Sequence, residues 1–347
     1  MLNISTQIIH LHKRFPLAIS RGVMTGSDNL FIHVEENGVT GIGEMAPGST
    51  EGAQTPQEGA KMLSDFCASE KSSNSIQETY DNAMGAGVAA CAVAALDMAL
   101  WDLRAKQAGL PLYKLLGLSR NVVPTSVTVG INPPEVVRER IPLLLDGTGV
   151  KALKVKLGSP DGLDADQAMF SAVLEMTENT STVIRVDANG GWTVPEAKKM
   201  MQWLADRGVE YIEQPLKKGE EDGLIHLFKD RPLPIYVDES CRVSSNIPSF
   251  ADRVDGVNLK LMKCGGITEA LRIVSTARAF GLKTMIGCMG ESSVSIAAGA
   301  SIGSLFDYID LDSHLNLDPD PCGGAEMTDG KILPTNNLGH GGSILNA

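Results

Sequence analysis

The chain has no basic run and no interleaving of aromatic with basic residues, and its 30 Lys+Arg against 42 Asp+Glu leave a formal net charge of -12. That balance excludes a protein that tracks nucleic-acid phosphates. No apolar stretch approaches the length of a membrane span. The opening "MLNISTQIIHLHKRF" lacks the apolar core of a signal peptide. Cysteine is sparse and scattered, at Cys67, Cys91, Cys241, Cys264, Cys288 and Cys322, and never forms a Cys-x-x-Cys pair. A reduced, cytoplasmic enzyme fits this better than a disulfide scaffold. The six histidines (His10, His12, His33, His226, His314, His340) show no metal-ligand spacing, and there is no low-complexity segment. What remains is an ordinary globular composition, 43% apolar and 21% charged over 347 residues. That is enough chain for one large barrel or two domains.

Two grammars divide the sequence. In the first, "LFIHVEENGVTGIGEM" reads as two strands around an Asn37-Gly38 hairpin turn. The Ala-rich "GAGVAACAVAALDMALWDLRAKQAG" follows as a helix, with Leu96, Leu100 and Leu103 at helical spacing and Gly109 closing it. "GEMAPGSTEGAQTPQ" reads as a loop suited to a lid. From Pro124 onward, short apolar strands alternate with helical patterns. The strands are "TSVTVG", "ALKVKLG", "TVIRVDANG", "VEYIEQPL", "PIYVDES", "GVNLKLMK", "KTMIGCM" and "YIDLDSH". Eight strands separated by helical segments argue for a parallel sheet closed into a barrel. The Pro/Gly/Asp-rich tail after His314 is expected to fold back onto the first part.

The strand "VKALKVKLGSP" carries Lys154 and Lys156 among apolar neighbours. Strand alternation points both lysines one way and Leu153, Val155 and Leu157 the other. In a barrel the apolar set meets the helices and the lysines face the interior. The next three strands end in carboxylates: Asp187, Glu213 and Asp238. Strand C-termini of a (β/α) barrel converge on one mouth. Three converging carboxylates repel one another unless a cation sits among them, and oxygen ligands favour Mg²⁺. Helix N-caps would explain either aspartate, but not Glu213 before "QPL". The sixth strand adds Lys260, on a face shared with Asn258 and Met262, with Lys263 on the opposite face or just beyond the strand.

This set has a chemical meaning. Removing the proton α to a carboxylate creates an enediolate, which only a concentrated positive field can stabilise. A lysine near that metal and another lysine has its ammonium form disfavoured and can serve as base. Of Lys154 and Lys156, one can stay cationic at the developing oxyanion while the other serves as base, and two lysines on opposite faces of one carbon allow a proton to leave from one side and return to the other.

At this point the chain resembles the enolase superfamily, muconate-lactonising subgroup. The ordered set "ALDMALWDL", "KVK", "VDANGGW", "EQPL", "DES" and "NLKLMKCGGITEA" carries the resemblance over almost the whole length. It implies an α/β fold: a modified TIM barrel, (β/α)7β, over residues 121–316. An α+β capping domain over 1–120 would cover it, joined by a returning tail over 317–347. It implies Mg²⁺ on Asp187, Glu213 and Asp238, acid/base catalysis by Lys156 and Lys260, and Lys154 at the enolate oxygen.

"KLMKCGGITEAL", "IGCM" and "YIDLDS" are most similar to dipeptide epimerases of the L-Ala-D/L-Glu type. The resemblance then implies a small-molecule dipeptide substrate, its ammonium held by Asp310 and Asp312. Thr128, Met24, Met289 and Glu291 are further expected substrate contacts, and Trp192 is expected to pack at a helix start. In "SRGVMTGSDN" Arg21 is expected to serve the start of the loop, and the next positions are Val23 and Met24, whereas Ala-Glu epimerases carry a basic residue in this loop. Small or hydrophobic C-terminal residues are therefore expected to be favoured over acidic ones, while Glu291 could invite a cationic one. Two other readings stay open: an o-succinylbenzoate synthase-like or cycloisomerase activity on the same scaffold, and a non-catalytic binding barrel. The Asp310/Asp312 pair argues against an aromatic dicarboxylate, and the retained lysines argue against a mere binder. No nucleic-acid or membrane partner is expected; a homo-oligomer remains open.

Overall fold

The computed structural model describes residues 3–69 and 75–345. Three antiparallel strands, β1 (Asn3–Ile19), β2 (Gly22–Glu36) and β3 (Val39–Met45), open the chain. The β2–β3 turn has positive φ at both central residues, 54° at Asn37 and 78° at Gly38, as a tight hairpin requires. Three helices follow: α1 (Pro56–Ala68), α2 (Ile76–Gly85) and α3 (Ala90–Gln107). α3 is buried on nearly every side, which is why its sequence is mostly Ala and Leu rather than amphipathic. Gly41 and Gly43 let β3 lie against it: a Cβ at either would come within 2.0 Å of the Ala99 or Ala95 carbonyl oxygen.

The barrel strands are β4 (Ser126–Val129), β5 (Ala152–Lys156), β6 (Val183–Asp187), β7 (Ile212–Glu213), β8 (Ile235–Val237), β9 (Gly256–Lys260), β10 (Lys283–Gly287) and β11 (Tyr308–Asp310). Each pairs in parallel with the next in chain order. A parallel bridge between Thr125 and Ile309 closes the ring, joined by the Leu311 N–H donating to Thr125 Oγ1 at 2.9 Å. The expected barrel is therefore observed, with two local differences. The crossover over "SSNIPSFADR" is a 3₁₀ segment, Ser244–Phe250, because Pro248 interrupts α-helical bonding. The sixth strand stops at Lys260, and Leu261–Cys264 forms a short helix. Met262 consequently leaves the face of Lys260; its sulfur accepts the Ala46 N–H of the capping region at 3.3 Å.

The N-terminal end of the barrel is plugged. Tyr211 and Tyr236 are fully buried there, and the Arg185 guanidinium stacks on Tyr308 at 4.8 Å. The tail returns to the capping region. The His340 N–H donates to Asp102 Oδ1 at 2.9 Å, and the Leu112 N–H donates to the Gly339 carbonyl at 2.6 Å. Capping region and barrel meet where Asp97 of α3 accepts the Thr268 N–H at 3.0 Å. No helix among the described residues is long and apolar enough to cross a membrane.

Candidate active site

Strand register builds the site. Lys156 pairs with Asp187, and Asp187 with Glu213, so three neighbouring strands present these side chains at one level. On the other side Gly287 pairs with both Lys260 and Asp310. A Cβ at Gly287 would sit 3.2 Å from Lys260 Cε, so the missing side chain leaves room for the lysine.

Asp187, Glu213 and Asp238 are all buried, and one carboxylate oxygen from each lies within 4.8 Å of the others. Their electrostatics differ. Burial, with Asp187 and Asp238 adding to it and Lys154 opposing, pushes Glu213 up to about 7. Burial also works against Asp238, but Lys260 and Lys263 outweigh it and hold the group well below the usual carboxylate range. Asp187 is likewise lowered, with Lys156 and Lys154 overcoming burial. Glu213 Oε2 is buried without a hydrogen-bond partner: Lys154 Nζ lies 2.7 Å away but off the hydrogen-bonding direction. A buried, all-oxygen donor set with one undersatisfied carboxylate fits a hard divalent cation.

Lys154 is fully buried, its Nζ 2.6 Å from Asp310 Oδ2 and 3.6 Å from Asp187 Oδ2. Burial does disfavour the ammonium, but Asp310, Glu213 and Asp187 outweigh it and raise the pKa well above the usual lysine value. Lys156 Nζ lies 2.5 Å from Asp187 Oδ2, and Lys260 Nζ 2.7 Å from Asp238 Oδ2.

Lys263 was not expected in the site. Its Nζ lies 2.7 Å from Asp238 Oδ1 and donates to the Asn258 carbonyl at 2.8 Å. The signal was present in the spacing: once the strand gives way to a helical turn after Lys260, a residue three positions on falls back on the same side. Asn258 donates to Glu213 Oε1 at 2.8 Å. Asn189 and Gln214, each just beyond a carboxylate, adopt the left-handed region at φ 44° and 38°. Gln214 Oε1 accepts the Asp238 N–H at 2.8 Å, fixing one carboxylate-bearing strand end to the next.

These groups open into a cavity of about 520 Å³. Asp310 and Asp312 line it together, as do Thr128, Met24 and Met289. The Thr128 N–H donates to Asp312 Oδ2 at 2.6 Å. Burial and the charge of Asp310 raise Asp312 to about 6, against the Thr128 hydrogen bonds. Asp310 Oδ1 is buried with no hydrogen-bond partner. Glu291 is not brought to the cavity: its Oε1 accepts the Met289 N–H at 2.6 Å, and burial pushes it up to about 8. Arg21 does more than shape its turn. Its guanidinium pairs with Glu239 Oε1 at 2.7 Å and donates to the Asn189 carbonyl at 2.9 Å, drawing the tip of the β1–β2 hairpin over the mouth. Trp192 packs in the core as expected, its Nε1–H donating to Asp166 at 2.9 Å.

A closed parallel barrel with a carboxylate triad flanked by inward lysines, roofed by an α+β cap, defines a class of metal-assisted proton-transfer enzymes. Residues 3–117 match the mandelate racemase / muconate lactonizing enzyme N-terminal domain, and residues 137–346 match the enolase C-terminal domain-like family. The chain belongs to the mandelate racemase / muconate-lactonizing group of the enolase superfamily. It is 67% identical over 346 residues to a hydrophobic dipeptide epimerase of Roseobacter litoralis, covering 100% of both chains. A hydrophobic dipeptide epimerase from a Flavobacteria bacterium is 62% identical, covering 96% of this chain and 95% of its own. Among solved structures, a dipeptide epimerase from Enterococcus faecalis complexed with Mg and L-Leu-L-Tyr superposes with a TM-score of 0.91 at 31% identity, over 99% of each chain.

Proposed function

We propose that the chain is a Mg²⁺-dependent dipeptide epimerase, that it inverts the α-carbon of the C-terminal residue, and that it favours hydrophobic dipeptides. The observation that carries the mechanism is the pairing of Lys156 with Asp187 and of Lys260 with Asp238, at 2.5 and 2.7 Å, on either flank of the carboxylate triad. Asp187, Glu213 and Asp238 would hold the metal, which supplies Lewis-acid stabilisation of the substrate carboxylate when bound. Lys156 takes the α-proton of one configuration while Lys260 donates a proton to the other face, and the two exchange roles for the opposite configuration. Lys154 supplies positive charge behind the carboxylates. Asp310 and Asp312 receive the dipeptide's ammonium in a charge-assisted contact. Only the C-terminal α-carbon adjoins the carboxylate bound at the triad, so inversion occurs there.

Preference for hydrophobic residues follows from the wall. Leu17, Ile19, Met24, Pro160 and Met289 line the cavity. Arg21, the basic residue of the covering turn, is already paired with Glu239. A C-terminal Glu would find no free basic residue in that covering turn, and a side-chain carboxylate buried against it unpaired would cost on the order of a few kcal/mol. A cytoplasmic setting accords with six free cysteines, and the dipeptide is the small-molecule partner. The test is α-deuterium uptake in D₂O, with Mg²⁺, across Ala-Ala, Ala-Leu, Leu-Leu, Ala-Lys and Ala-Glu. Uptake at the C-terminal residue, greatest for the leucine dipeptides, is expected; a preference for Ala-Glu would overturn the specificity, and no uptake from any dipeptide the activity.

A further inference from the structure

Lys13 of β1 takes no part in the chemistry above, yet it lines the same cavity and is only 6% exposed. Among the described residues its ammonium has no hydrogen-bond partner and no carboxylate within 4.0 Å. Its Nζ lies 4.0 Å from where a Cβ on Gly290 would stand, with Ser27 Oγ 3.4 Å from that same point. Ser27 is already engaged, donating to Asn29 Oδ1 at 2.8 Å, so Lys13 is the free donor of this niche. Burial lowers the Lys13 pKa, with Cys288 and Asp312 pulling the other way. A largely buried cation with no carboxylate within ion-pair distance is costly, and one whose ammonium reaches an open cavity is placed to take its partner from a ligand.

The niche lies at the Asp312 end, among the residues following β10 and β11. On the dipeptide reading, Asp310 and Asp312 hold the substrate's ammonium, so the side chain next to them belongs to the N-terminal residue. We propose that Lys13 selects that side chain: it pairs with a carboxylate there, as in an N-terminal Glu, and rejects a basic one. The inference rests on the proposed function and deepens it, because the hydrophobic wall then governs the C-terminal residue while Lys13 governs the N-terminal one.

The experiment compares kcat/KM for Glu-Leu, Lys-Leu and Leu-Leu with Mg²⁺, read by α-deuterium uptake at the C-terminal leucine. In the wild-type enzyme Glu-Leu should exceed Lys-Leu by about tenfold to a hundredfold, the range expected for exchanging an attractive for a repulsive contact in a desolvated pocket. Lys13→Met should collapse that ratio, Lys13→Arg should keep it, and Lys13→Glu should invert it. Equal wild-type rates for Glu-Leu and Lys-Leu overturn the inference without recourse to any variant, as does a ratio that Lys13→Met leaves intact. Uptake with Leu-Leu alongside either result sinks this inference alone. Absence of uptake with all three removes the dipeptide reading and this inference together.

Discussion

Lys154→Met should destabilise the metal-free protein strongly. Lys154 is fully buried and is the cation nearest to Asp310 and Glu213, at 2.6 and 2.7 Å. Methionine keeps an unbranched stem, one atom shorter, but leaves both carboxylates without that charge. Removing one partner of a buried ion pair costs about 3–5 kcal/mol. For 347 residues, an unfolding entropy of ~2.1 cal/mol/K per residue gives ~0.7 kcal/mol/K, so the Tm should fall by roughly 4–7 °C. The loss depends on pH in a definite sense. The Glu213 carboxyl is raised from 4.5 to about 7 on folding, so its contribution to stability is full below 4.5 and is lost as pH rises through 7. Without Lys154 the anionic forms are disfavoured further, so the variant should lie close to wild type in acid and fall furthest behind above neutrality. Calorimetry in chelator at several pH values measures this, and added Mg²⁺ should recover part of the difference. A variant with wild-type Tm above neutrality would refute the claim that Lys154 makes the buried carboxylate cluster tolerable.

Lys156→Ala and Lys260→Ala should each abolish epimerisation while still exchanging the α-proton of one configuration, opposite in the two variants, as mass spectrometry in D₂O would read; near wild-type epimerisation by either would refute the two-base assignment. Asp312→Asn should raise KM for dipeptides by about tenfold to a hundredfold, the worth of one charge-assisted hydrogen bond, with a smaller change in kcat; steady-state kinetics at constant Mg²⁺ checks this. Asp97→Asn should flatten the pH dependence of stability. Burial pushes Asp97 from 3.8 up to about 7 against its Thr268 hydrogen bonds, so its contribution is full below 3.8 and is lost as pH rises through 7. Thermal unfolding from about pH 5 to pH 8 should show a shallower decline in the variant than in wild type.

Local patterning alone carried the barrel and the direction of its interior side chains. Strand side chains repeat every two residues, so "KVK" had to send Lys154 and Lys156 to one face, and strands ending in Asp187, Glu213 and Asp238 had to meet at one mouth once the sheet closed. The Asn37-Gly38 turn, the Ala-rich α3 and the returning tail were equally legible, because each depends on nearby residues or on composition. What lay beyond that reach depended on where regular geometry stops. The end of β9 at Lys260 turned Met262 toward the cap and brought Lys263 back onto Asp238. Other outcomes needed partners distant in sequence. Arg21 found Glu239 across the mouth, Glu291 turned to the Met289 backbone, and Lys13 was left largely buried with Asp312 near but beyond ion-pair distance. Those are electrostatic results set by the packing of cap on barrel. Sequence periodicity fixes a side chain's face within its own strand or helix; only the tertiary structure decides which charges that face meets and how much water is left between them.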